Sequence, residues 1–191
     1  MVNQSKPTVA IFGGSFDPPH KGHQEIVRKA VEVLDIDRLI VLPAYLNPFK
    51  RSSLASAEKR LEWCHKLFDG LPKVSVDDYE IRQGRSIRTS QSVKHFNTMY
   101  EVKYLIIGSD NLSTLTDWHE FEWLNKTVTW VIATRKNHPL NTEKLRSWKI
   151  LEIDFPVSST TIREEIDLHY IDNRIKQSVQ RTLHDNPKGK H

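Results

Sequence analysis

At 191 residues, with apolar side chains at 38% and charged ones at 27%, the chain is sized for one domain with a sizeable core and is too polar for a membrane span. Its formal charge of +4 favours anionic partners, but the basic residues are scattered and no nucleic-acid-binding motif stands out, so nucleic acid is not expected. Cys64, the single cysteine, excludes an internal disulfide, and Met1 to Thr8 is too short and polar for a secretory leader, so a cytoplasmic protein is expected.

Val9-Ala10-Ile11-Phe12 is an unbroken apolar run of the kind a strand buried on both faces produces. Gly13-Gly14 follows, where the lack of Cβ atoms lets the chain turn and a phosphate or sugar come close. Ile26, Ala30, Val31 and Leu34 then recur at helical spacing, predicting a helix over 22–34 that starts near His20 to His23. Its free N–H groups and positive dipole end favour an anion. His20 and His23, three apart, can turn both rings to one side, where two imidazoles suit charge developing on phosphoryl oxygens. They could instead ligate a metal, but no nearby Cys, Glu or third His stands at ligand spacing, and no protein metal ligands are assigned.

Leu39-Ile40-Val41-Leu42 predicts a second strand, and Pro43, Asn47 and Pro48 mark the loop that ends at Phe49-Lys50. A helix over 56–68 places Cys64 with Leu61, Leu67 and Phe68 on its apolar face, as a buried and unreactive thiol. Further strands are expected near Val74, Tyr104, Thr129 and Ile150, and helices over 90–99 and 121–125. Asp110 ends Ile107-Gly108-Ser109-Asp110, either as a helix cap or as a carboxylate for ribose hydroxyls. Trp118, in Trp118-His119-Glu120-Phe121, reads by spacing alone as core. Ser158-Ser159-Thr160-Thr161 offers Ser159 or Thr160 as the N-cap of a helix over 160–168. With Arg163 beside it, the same cap can donate to a polyphosphate. A last helix over 172–184 shows Ile175, Val179 and Leu183 on one face, and 186–191 reads as a tail.

Apolar runs alternating with amphipathic ones predict an α/β fold, a Rossmann-like doubly wound parallel sheet in a single domain with a helical C-terminal segment.

Gly13-Gly14-Ser15-Phe16-Asp17-Pro18-Pro19-His20-Lys21-Gly22-His23 resembles the nucleotidylyltransferase signature G-x-[ST]-F-D-x-x-H/T-x-G-H. The first His and the Pro-Pro are similar to the nicotinate mononucleotide adenylyltransferase family. Ile107-Gly108-Ser109-Asp110, Trp118 eight residues later, and Val157-Ser158-Ser159-Thr160-Thr161-Ile162-Arg163 resemble further motifs of that family, in the expected order. The resemblance implies an ATP side formed by Gly13, Gly14, Ser15, Phe16, Asp17, Gly108, Asp110, Ser159, Thr160 and Ile162. It implies that Lys50 reaches the triphosphate, and that Trp118 stacks on a pyridine ring whose carboxylate is held by Thr89 and the His119 backbone, with Arg135 on that same side. Three positions depart from the family pattern: Phe49 replaces a His, Ile87-Arg88 stands where Tyr is usual, and Gln91 where Asp is usual.

The expected reaction is attack by a phosphate oxygen of nicotinate mononucleotide on the α-phosphorus of ATP, with Mg2+ bound mainly through the phosphates. His20, His23, Lys50 and Arg163 would balance the charge. A nucleotidylyltransferase for phosphopantetheine would keep the histidines and the Ser-Ser-Thr run but not need Trp118 or Thr89. A non-catalytic nucleotide-binding protein would survive loss of both histidines. The oligomeric state, a homo-oligomer included, and the choice between nicotinate and nicotinamide mononucleotide stay open at this level.

Overall fold

In the computed structural model, which describes residues 5–134 and 138–186, six strands form one fully parallel sheet in the order β3-β2-β1-β4-β5-β6. They are β1 (Thr8–Gly14), β2 (Arg38–Pro43), β3 (Val74–Val76), β4 (Glu101–Gly108), β5 (Thr129–Ala133) and β6 (Trp148–Leu151). The helices are α1 (Lys21–Val33), α2 (Ala57–Phe68), α3 (Tyr79–Arg82), α4 (Thr89–Asn97), α5 (Phe121–Thr127), α6 (Ser159–Glu165) and α7 (Asn173–Asp185).

The unbroken apolar runs are explained by burial on both faces. Ala10 and Phe12 of β1, Leu39 and Val41 of β2, and Tyr104 and Ile106 of β4 pack on α1, α2, α6 and α7. Their alternates, Val9, Ile11, Ile40, Leu42, Leu105 and Ile107, pack on α4 and α5. Cys64 is fully buried, and that burial pushes its thiol above the ordinary range, as expected for an inert side chain. Ile175, Val179 and Leu183 of α7 are buried together.

β1 pairs with β2 on one side and with β4 on the other, in registers Phe12↔Val41 and Phe12↔Ile106. The sheet therefore reverses its direction of growth between β1 and β4, and a crevice opens beyond their carboxyl ends.

Three elements differ from expectation. α6 stops at Glu165, because Ile166 takes a left-handed conformation (φ 53°) and a separate 3-10 turn comes after it over Leu168–Tyr170, with Asp167 capping His169 N. The cap of α6 is Ser158, whose Oγ accepts the N–H of Thr161 at 3.1 Å, rather than Ser159 or Thr160. The four-residue α3 is too short to leave a periodicity in the sequence. Among the described residues no helix is long and apolar enough to cross a membrane.

Candidate active site

His20 is the N-cap of α1, and its Nδ1 accepts the N–H of Gly22 at 3.1 Å. His23 Nδ1 in turn accepts the N–H of His20 at 3.1 Å, closing a reciprocal capping box. Both Nδ1 atoms thus act as acceptors of backbone hydrogens, so a neutral ring carries its hydrogen on Nε2. The ring centroids lie 3.9 Å apart, and both residues are buried. His23 faces the crevice, whereas His20 sits behind it, stacked on Phe155 at 5.7 Å. Gly22 is the condition for this arrangement: a Cβ there would fall 2.6 Å from the Phe155 ring and 2.9 Å from the His20 ring.

The crevice itself has a volume of about 710 Å³. Gly13, Gly14, Ser15 and Phe16 form its floor at the end of β1. Among the described residues a Cβ on Gly13 would meet only the Leu42 carbonyl oxygen, at 4.0 Å, which leaves space above it. Phe16, at φ 48°, turns its ring back against Gly14 and lies 5.0 Å from the His23 ring.

α6 brings Ser158, Ser159 and Thr160 to the same crevice. Ser159 Oγ donates to the Pro18 carbonyl at 2.9 Å. Arg163 donates to the Asp17 carbonyl at 2.6 Å and to Thr160 Oγ1 at 3.2 Å, so the start of α6 is fastened to the β1–α1 loop. Lys50 also lines the crevice, and its pKa is lowered by partial burial and then by the positive charge of Arg163. A lysine whose charge is disfavoured by its surroundings gains from a polyanion beside it.

The far end is built by β4 and the 3-10 turns after it. Gly108 and Asp110 line the crevice, Asp110 from the turn Ser109–Asn111. Trp118 packs edge-on against Trp130 at 6.2 Å, and its buried indole N–H has no hydrogen-bond partner among the described residues. Thr89, the first residue of α4, and His119 complete this end. His119 Nδ1 lies 3.1 Å from Ser90 Oγ and 3.3 Å from a Glu120 carboxylate oxygen. Gln91, at the third position of α4, accepts the N–H of Arg88 at 3.1 Å and so does the capping work of the acid usual there.

Besides His20 and Arg163, two more expected contributors stand outside the crevice lining. The Asp17 carboxylate is buried and accepts the N–H groups of Leu54 at 2.7 Å and Ala55 at 3.0 Å, which ties the β1–α1 loop to the start of α2. Ile162 is fully buried in the core and its N–H bonds to the Ser158 carbonyl, so it presents neither side chain nor donor to the crevice. Arg135 lies outside the described residues.

Sequence reasoning missed two polar residues. Glu80 of α3 lines the crevice, buried, with Ser92 Oγ donating to it at 2.7 Å; burial pushes its pKa from 4.5 up to about 7. Arg60 of α2 is 1% exposed and donates to the carbonyls of Ser15 (2.7 Å), Ala44 (2.6 Å), Tyr45 (2.6 Å) and Ala55 (3.3 Å). Its helical spacing from Ala57, Trp63, Cys64 and Leu67, all buried, is the one signal that could have revealed it.

Comparison with known proteins shows the family and the fold. The cytidylyltransferase-like family model matches residues 11–165. A Sulfurovum sp. protein named "Probable nicotinate-nucleotide adenylyltransferase" is 78% identical over 97% of this chain and 98% of its own length. A Campylobacter jejuni protein of the same name is 42% identical, over 91% and 94%. Among solved structures, the nicotinic acid mononucleotide adenylyltransferase of Plasmodium falciparum complexed with NaAD superposes with a TM-score of 0.72 at 20% identity, covering 94% of this chain and 95% of that one. At that identity the likeness is one of fold.

Proposed function

This chain belongs to the nicotinate-nucleotide adenylyltransferases, within the cytidylyltransferase-like family, and transfers the adenylyl group of ATP to nicotinate mononucleotide in NAD biosynthesis; we propose that the crevice between β1 and β4 is where it does so. The observation that carries the proposal is the lining of that crevice, which joins Gly13, Gly14, Lys50, Ser159 and Thr160 with Trp118, Thr89 and His119 in one cavity.

ATP lies with its triphosphate among Gly13, Gly14, Ser15, His23, Lys50, Ser159 and Thr160, and with its adenosine towards Gly108 and Asp110. The pyridine ring rests on Trp118, with the Thr89 and His119 backbone near its carboxylate. A phosphate oxygen of the mononucleotide bonds to the α-phosphorus as the bond from that phosphorus to the α,β-bridging oxygen breaks, and pyrophosphate departs. That nucleophile is ionised at neutral pH, so the protein's task is alignment and charge balance. His23 Nε2–H donates towards the α-phosphoryl oxygens, while Lys50 faces the departing pyrophosphate. Arg163 and His20 act one step back, Arg163 by holding the β1–α1 loop and His20 by orienting His23.

Among the described residues no three His, Cys, Asp or Glu side chains gather to hold a metal ion. The fit is to a cation held by triphosphate oxygens and water, as Mg2+ commonly is. Bound so, it would neutralise charge on the phosphates.

Pyrophosphate release from ATP and Mg2+, with nicotinate mononucleotide, nicotinamide mononucleotide and phosphopantetheine in parallel, tests the reading. Fast release with nicotinate mononucleotide is expected. Release with phosphopantetheine alone would move the assignment to another branch of the family.

A further inference from the structure

Arg60 is a buried cation that the reaction does not touch. Among the described residues every hydrogen bond its guanidinium makes goes to a backbone carbonyl, and the four carbonyls belong to three segments. Ser15 is on the crevice floor, Ala44 and Tyr45 open the loop that carries Lys50, and Ala55 immediately precedes the cap of α2. Asp17 completes the link from the other side, through its bonds to the N–H groups of Leu54 and Ala55. Its negative charge also supports the buried guanidinium against the cost of burial.

A buried arginine satisfied mainly by carbonyls is expensive to keep, and an apolar side chain of the same size would fill the space. What the guanidinium adds is a planar fork that fixes the two loops relative to each other. Those loops carry the floor and the rim of the triphosphate end, whereas the pyridine end, at Trp118, Thr89 and His119, is built from other elements.

Resting on the function proposed above, we propose that Arg60 is a positioning residue for adenylyl transfer, setting the distance between the Ser15 floor and the Lys50 rim so that the triphosphate is aligned for attack. It acts through those backbone segments and touches neither substrate. Its charge also stays behind the floor, a fixed positive field beneath a polyanion.

The test compares wild type with Arg60→Met, which fills the space, and Arg60→Lys, which keeps the charge but loses the fork. Each is assayed well below its melting temperature, with ATP and nicotinate mononucleotide varied separately. Titration with a non-hydrolysable ATP analogue accompanies the kinetics. For Arg60→Met, kcat is expected to fall about a hundredfold and the KM for ATP to rise about tenfold, the scale of a misalignment near 1 Å, while the KM for nicotinate mononucleotide moves less than about twofold. Arg60→Lys should recover only part of the loss. Unchanged kinetics, or an equal rise in both KM values, would overturn the proposal. If Arg60→Met does not fold, Arg60→Lys decides by the same split, and a chain that folds with neither assigns Arg60 to the fold alone and overturns it. Should wild type itself fail to release pyrophosphate, the functional reading falls, and analogue binding decides here: weaker in the variants supports positioning, equal binding removes it.

Discussion

His23 Nδ1 accepts the backbone N–H of His20, so the two histidines are coupled through the helix start as well as through their adjoining rings. One ring nitrogen of His23 serves the fold, and the role proposed for the reaction falls to the other, Nε2. His23→Asn separates these duties, because asparagine keeps an acceptor at the δ1 position and loses the ε2 donor. Stability should stay within about 1 kcal/mol of wild type, the scale of an N-cap change. Turnover should drop about a hundredfold, as for removal of a donor to developing phosphoryl charge. Chemical denaturation and steady-state pyrophosphate release check the two halves, and near-normal turnover would remove His23 from the reaction.

Gly22→Ala places a methyl group 2.6 Å from the Phe155 ring and 2.9 Å from the His20 ring. Overpacking of this kind costs about 1–3 kcal/mol. Since the ring that must move is the one capping α1, kcat should fall with the melting temperature. A stable variant with wild-type kcat would mean that His20 can be displaced without consequence.

Glu80 makes stability depend on pH in a definite direction. Its folded pKa, about 7, exceeds its ordinary 4.5, so the fold prefers the protonated acid. The contribution is complete below pH 4.5 and is lost as pH rises through 7. Glu80→Gln keeps a neutral side chain at all pH values. Urea denaturation at several pH values should find the variant gaining on wild type from pH 4.5 to 8, by up to about 3 kcal/mol for a shift of that size. A constant difference across that range would show that Glu80 ionises without penalty.

Lys50, held below its ordinary pKa by partial burial and by Arg163, loses its charge as pH rises through that lowered value. ATP affinity should therefore be greatest below it and weaken above it. Lys50→Met should bind ATP about tenfold more weakly at neutral pH, the order expected for one lost charge-assisted contact, and should show a flatter pH dependence. Titration calorimetry across pH reads both, and a variant with the wild-type slope would place the titrating group elsewhere.

Much of this was legible in the chain. Runs such as Leu39–Leu42 and Tyr104–Ile107 read as strands because they are buried on both sides, and the Gly-Gly end of β1 pointed to the crevice because the sheet must turn there. What stayed hidden depended on tertiary partners. Arg60 sits among Glu58, Lys59 and Glu62, and although its spacing from Ala57, Trp63, Cys64 and Leu67 puts it on the buried face, nothing local shows that its partners are carbonyls of two distant loops. Glu80 became a buried acid only once Ser92 and the crevice wall enclosed it. Asp17 and Ile162 lie inside recognisable motifs, yet both serve the framework around the site. A motif marks a neighbourhood, and contact is settled residue by residue.

The bonds from Ser159 to Pro18 and from Arg163 to Asp17 span 141 and 146 residues. The β1–α1 loop is thus secured by a segment far downstream of it in the chain. A molecule in which the start of α6 has not docked carries all of the loop's residues but not the two bonds that fasten it. A nucleotide bound at the crevice would, by mass action, draw the folding equilibrium towards the one form that can hold it.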